Sequence, residues 1–99
     1  MRRREQRYTV KESVVVSVLN TRENRPRPGT VLDISRSGYR VLSGLALSEG
    51  TEVLTTLNSV AIFGIVRHCE LAGEDSYTTG VQITKVVPVS EAQVAQAIA

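Results

Sequence analysis

What constrains this chain most is that its apolar residues come in short β-branched runs, each ended by turn residues before a helix has room to form. Residues 9–19 contain Ser13-Val14-Val15-Val16-Ser17-Val18-Leu19, residues 29–34 read Gly-Thr-Val-Leu-Asp-Ile, and residues 39–42 alternate as Tyr-Arg-Val-Leu. Residues 51–57, 60–67 and 77–87 supply three more runs. β-Branched residues lose rotamer freedom in a helix but pack well on a pleated surface, and a two-residue period marks a half-buried strand. With no helical stretch between the runs there are no crossovers for a parallel sheet, so the strands should pair antiparallel. Closing six such strands into a barrel removes the exposed edges.

The punctuation supports the same outline. Residues 20–29 hold two prolines and three arginines and read as a solvated loop; Ser35-Arg36-Ser37-Gly38 breaks the chain again, and Asn58-Ser59 predicts a tight turn. Gly64 suggests a bulge or sharp bend, residues 73–76 a loop, and Gly80 an interruption of the last strand, which Pro88 ends. Ser90 is a suitable N-cap for a short helix over 90–99, with Glu91 complementing the helix dipole and Val94 and Ile98 on one face. The expected organisation is one domain: a basic arm over 1–8, a six-stranded antiparallel β-barrel over 9–87, and a closing C-terminal α-helix over 90–99.

Composition narrows the function. A 99-residue chain buries about 60–70% of its unfolded surface, which leaves no room for a deep catalytic cleft. Residues 1–40 carry ten basic against four acidic side chains, net +6, whereas residues 41–99 carry two against six, net −4. Such asymmetry points to an anionic partner. Ten of the twelve cations are Arg, whose planar fork suits phosphates and guanine edges. A single Phe, Phe63, and no Trp leave little for stacking single-stranded nucleic acid, which disfavours that partner. Cys69 is the only cysteine and His68 the only histidine, so neither a disulfide nor a zinc site is expected. One His, one Cys and scattered acids also give no nucleophile, base and orienting group, so no catalytic residue is assigned and the chain is not read as an enzyme. His68 and Cys69 read as structural residues at a strand end, facing opposite ways. No stretch approaches the roughly 20 apolar residues that span a bilayer. The arginines at 2–4 run into Glu5 and not into an apolar segment, so membrane insertion and export are not expected and a cytoplasmic location is.

Two motifs carry chemistry. Arg3 and Arg7 form an Arg-x-x-x-Arg pair flanked by Arg2 and Arg4. Alone it says little, since ten arginines produce such spacings by chance; Arg36 and Arg40 make a second one. Asp33-Ile34-Ser35-Arg36-Ser37-Gly38 is an Asp-x-Ser-x-x-Gly segment between two strands. As a turn it needs no further explanation, because Asp and Ser bond nearby amides and Gly supplies positive φ. As a site, its carboxylate can accept from guanine N1–H and N2–H₂, its glycine permits close approach, and an Arg can donate to guanine O6 and N7.

An Arg pair before the first strand and Asp-x-Ser-x-x-Gly after the second, with Arg7 and Asp33 separated by 26 positions, together resemble the PilZ domain family of small β-barrels that bind cyclic di-GMP. The resemblance extends over the whole chain, to Gly50-Thr51, to the strand at Tyr77-Thr78-Thr79-Gly80-Val81-Gln82-Ile83, and to the closing helix. It implies that Arg3 and Arg7 clamp guanine and phosphate oxygens from a flexible arm, and that Asp33, Ser35 and Gly38 hold a guanine on the barrel surface. Arg2, immediately before the pair, implies a ligand bound as an intercalated pair. Only Met1 and Arg2 precede Arg3, so the arm is expected to be tethered at one end, at a greater ordering cost, and the response to pass to another protein. The expected function is therefore a cyclic di-GMP receptor or adaptor without a cofactor, signalling to a protein partner. The alternatives are a PilZ-like interaction module without nucleotide binding, or a small basic barrel that binds RNA or DNA.

Overall fold

The computed structural model describes residues 6–19 and 26–88. They form six strands: β1 (Tyr8–Val18), β2 (Arg27–Ile34), β3 (Gly38–Ser43), β4 (Glu52–Leu57), β5 (Val60–Gly73) and β6 (Ser76–Pro88). All pair antiparallel and close into a barrel in the order β1-β2-β3-β6-β5-β4. The fold class follows the sequence reading. Among the described residues there is no helix; the expected helix over 90–99 lies outside them, as do Arg2 and Arg3.

The core is built by alternation. Val14, Val16 and Val18 of β1 are buried while Val15 between them is 43% exposed. Val31, Tyr39, Val41, Val53, Ile62, Val66 and Val81 complete the interior. Thr55 and Thr79 are fully buried among them. Thr55 is bonded to the Tyr39 hydroxyl, and Thr79 meets Cys69 Sγ at 3.4 Å. Burial pushes the Tyr39 phenol up to about 12, opposed by the Thr55 bond.

Three local expectations are corrected. β5 continues six residues beyond Arg67, so His68 and Cys69 lie within a strand and not at its end. The apolar run stops at Val66, but the hairpin ladder continues to Gly73 opposite Ser76, leaving a two-residue loop with Asp75 at φ 60°. Gly80 does not interrupt β6; it pairs with Arg40 on one side and His68 on the other. Tyr8, counted with the arm in the sequence outline, opens β1 and is 56% exposed.

The strands are not uniform ladders. Register shifts occur between Thr9 and Glu12 in β1, where Lys11 takes φ 53°, and between Val31 and Asp33 in β2. In the β5–β6 ladder they fall at Val66/His68 and Leu71/Gly73, each with an extra residue in β5, and opposite Phe63/Gly64, where the extra residue is in β6. Where Gly64 suggested a bulge in β5, the extra residue is Thr84 on the facing strand β6; Gly64 itself serves close packing, since a Cβ there would lie 2.4 Å from Val81 Cγ1.

Candidate functional site

Asp33 owes its position to a bulge. Unbroken alternation from the buried Val31 would turn Asp33 into the barrel, but the extra residue Leu32 puts Asp33 opposite Arg40, whose side chain is half-exposed. An inserted residue of this kind re-aims the side chains that follow it. Arg40 Nε donates to Asp33 Oδ2 at 2.6 Å and its Nη2 pairs with the same oxygen, while Arg7 Nη1 pairs with Oδ1. Because β2 lies between β1 and β3 in the barrel, one carboxylate is reached from both sides. The Asp33 side chain is only 9% exposed, whereas the side chains of Arg7 and Arg40 are about half-exposed. The hydrogen bond from Arg40, followed by the fields of Arg40 and Arg7, holds the Asp33 carboxyl below its ordinary value against the opposing effect of burial. Asp33 in turn raises Arg40. The carboxylate is therefore ionised at neutral pH, with each oxygen already paired to an arginine.

The turn between β2 and β3 is fixed by its own backbone. Ser35 N donates to the Gly38 carbonyl at 2.8 Å, Ser35 Oγ donates to the same oxygen at 3.3 Å, and Ile83 N donates to the Ser37 carbonyl at 2.7 Å. The last bond ties the turn to β6. Gly38 is not required for positive φ, as the turn reading supposed; among the described residues the glycine with positive φ is Gly50. A Cβ at Gly38 would lie 2.5 Å from the Val81 carbonyl oxygen, so the glycine permits two backbones to approach.

Beside this turn opens a hollow of about 300 Å³. Gly38, Gly80 and Val81 are on its lining, with Arg7, Arg67, His68 and Gln82 around it. Of the residues expected to bind ligand, Arg7 and Gly38 border this space, Asp33 is joined to it through Arg7, and Ser35 shapes the turn. A shallow, cation-rimmed surface next to an ionised carboxylate can take a ligand that offers both anionic oxygens and N–H donors.

The sequence profile of the PilZ domain family matches residues 1–99. The chain belongs to the PilZ domain family. No curated protein matches it. PilZ domains are binding or adaptor modules and not enzymes, and generally bind cyclic di-GMP. In this PilZ domain no helix among the described residues is long and apolar enough to cross a membrane.

Sequence reasoning missed Arg40, treating its spacing from Arg36 as chance. The signal was present, since Tyr39-Arg40-Val41 alternates and puts Arg40 on the face away from the core. Arg67, His68 and Gln82 were also missed as a group. No alternation rule brings the first two together, because an extra residue in β5 decides which way they face.

Proposed function

We propose that this PilZ domain is a cyclic di-GMP receptor that closes its Arg-rich N-terminal arm, with Arg2, Arg3 and Arg7, over the nucleotide and thereby signals to a protein partner. The observation that carries this reading is the ionised Asp33 carboxylate held between Arg7 and Arg40 at the edge of a cation-rimmed hollow. The ligand carries two phosphates and two guanines, which call for Arg forks and a carboxylate. Asp33 accepts from guanine N1–H and N2–H₂. Arg7 already occupies Oδ1, so a guanine edge docking there displaces it and frees a guanidinium for phosphate oxygen or guanine O6 and N7. Arg40 stays on Oδ2. Ser35 and Gly38 keep the turn in a shape that lets the base come close to the backbone. This exchange links base recognition to movement of the arm, and a rearranged arm changes the surface a partner meets. Four charge-assisted hydrogen bonds at about 1.5–3 kcal/mol each, less the cost of ordering the arm, correspond to roughly micromolar affinity.

Calorimetry with cyclic di-GMP, run beside GTP and a short RNA, tests this. Selective binding of the cyclic dinucleotide is expected, as an intercalated pair, with loss of binding in Arg3→Ala and Arg7→Ala. Removing residues 1–7 should leave a folded barrel that no longer binds. Equal binding of RNA with a steep salt dependence would favour a nucleic-acid module. Absence of binding at ~100 μM ligand would favour an interaction module without nucleotide.

A further inference from the structure

The β5 bulge between Val66 and His68 has an effect that alternation alone would not produce. Val66 is fully buried, and Cys69 faces the buried Thr79, yet Arg67 and His68 between them are both exposed. The inserted residue puts two consecutive side chains on the outer face, and both border the hollow that Arg7 borders from the opposite side. Each is also held in place. Arg67 Nε donates to Gln82 Oε1, which fixes the guanidinium by its side edge and leaves the four N–H bonds of its two terminal nitrogens for another acceptor. The His68 ring lies across Gly80, where a methyl group would come within 2.3–2.8 Å of three ring atoms. Only a residue without Cβ leaves the ring room to lie against the strand.

We propose that Arg67 and His68 form a second wall of the nucleotide site, Arg67 binding a phosphodiester oxygen of the cyclic dinucleotide and the His68 ring supporting a base. This inference rests on the cyclic di-GMP reading above. Arg7 and Arg67 then match the two phosphate charges from opposite rims, and a bidentate or forked contact to phosphate is what an arginine provides and a simple positive surface does not. Bulges are over-represented beside binding sites because they re-aim side chains, and this one re-aims a fork and a planar ring together.

The test is an equilibrium titration of the full chain with cyclic di-GMP, comparing wild type with Arg67→Ala, His68→Ala and Lys85→Ala. Lys85 lies opposite Phe63, away from the hollow, and reports any general effect of removing a cation. The expected result is about tenfold or greater weakening for Arg67→Ala, as befits loss of a charge-assisted bond, several-fold weakening for His68→Ala, and less than about twofold for Lys85→Ala. Thermal melting of the same proteins should stay close to wild type, because both wall residues are exposed. Wild-type binding that Arg67→Ala and His68→Ala leave unchanged, or that Lys85→Ala weakens as much as Arg67→Ala does, overturns the second wall and leaves the ligand assignment standing. Failure of wild type itself to bind overturns both.

Discussion

Arg7 and Arg67 stand at the same hollow, but Arg7 is paired with a carboxylate while Arg67 is held by a neutral amide. The contrast decides what each can do when an anion arrives. The charge of Arg7 is compensated by Asp33, so its use requires an exchange in which another donor takes Oδ1. The charge of Arg67 is uncompensated by Gln82, so it attracts a phosphate without first releasing a partner. Under the proposed function one rim would act as a switch and the other as a standing attraction. Arg40 belongs with the Arg7 rim, since it bonds the other oxygen, Oδ2, and is the largest cause holding the carboxyl below its ordinary value.

Replacing Asp33 attacks this contrast most directly. Asp33→Ala removes the proposed guanine acceptor and the anion that pairs with Arg7, and cyclic di-GMP binding should weaken by about a hundredfold in calorimetry, the equivalent of one to two hydrogen bonds to a charged group. Tighter binding by the same variant would mean that Asp33 serves only to withhold Arg7, and the two rims would no longer differ in kind.

The inward neighbour of Arg40 separates the site from its support. Tyr39→Phe leaves the fully buried Thr55 hydroxyl without its partner, a loss of about 1–3 kcal/mol that lowers the melting temperature by roughly 4–8 °C per kcal/mol, with ligand affinity unchanged. A change in affinity of the same size would show that the core and the switch are coupled through β3.

Acid titration sharpens the account of the paired rim. The Asp33 carboxyl is lowered in the folded protein from 3.8, so its contribution to stability is fully present above that ordinary value and is lost as pH falls through the lower folded one. Arg40→Ala removes the largest cause of the lowering, and the midpoint followed by carboxyl NMR should move upward. If it stays where it was, Arg7 alone holds the carboxylate. The smallest effect belongs to the open rim. Gln82→Ala frees Arg67 to sample other rotamers and should weaken binding by about threefold, less than removing Arg67 itself.

Much of the barrel was legible because the rules behind it are local. Val14, Val16 and Val18 alternate with polar or exposed neighbours, and turn residues such as Asn58-Ser59 stop each run, so strand number and antiparallel pairing follow from adjacent residues. The motif residues Arg7 and Asp33 were legible as candidates, but their ion pair was not, since neither residue's sequence position says which way its side chain faces. The end of β5 was misjudged for a related reason. Glu70 and Leu71 stay in strand because β6 supplies their pairing partners Thr78 and Tyr77, whatever their hydropathy.

By itself the sequence determined a closed antiparallel β-barrel of the PilZ family and an arginine-rich first half, because side-chain period, turn chemistry and charge are properties of neighbouring residues. Tertiary structure decided which charges meet. The bulges at Leu32 and Arg67 exist only where one strand is aligned against another with a residue to spare, and that mismatch turns Asp33 toward Arg40 and brings Arg67 and His68 to the hollow beside Arg7.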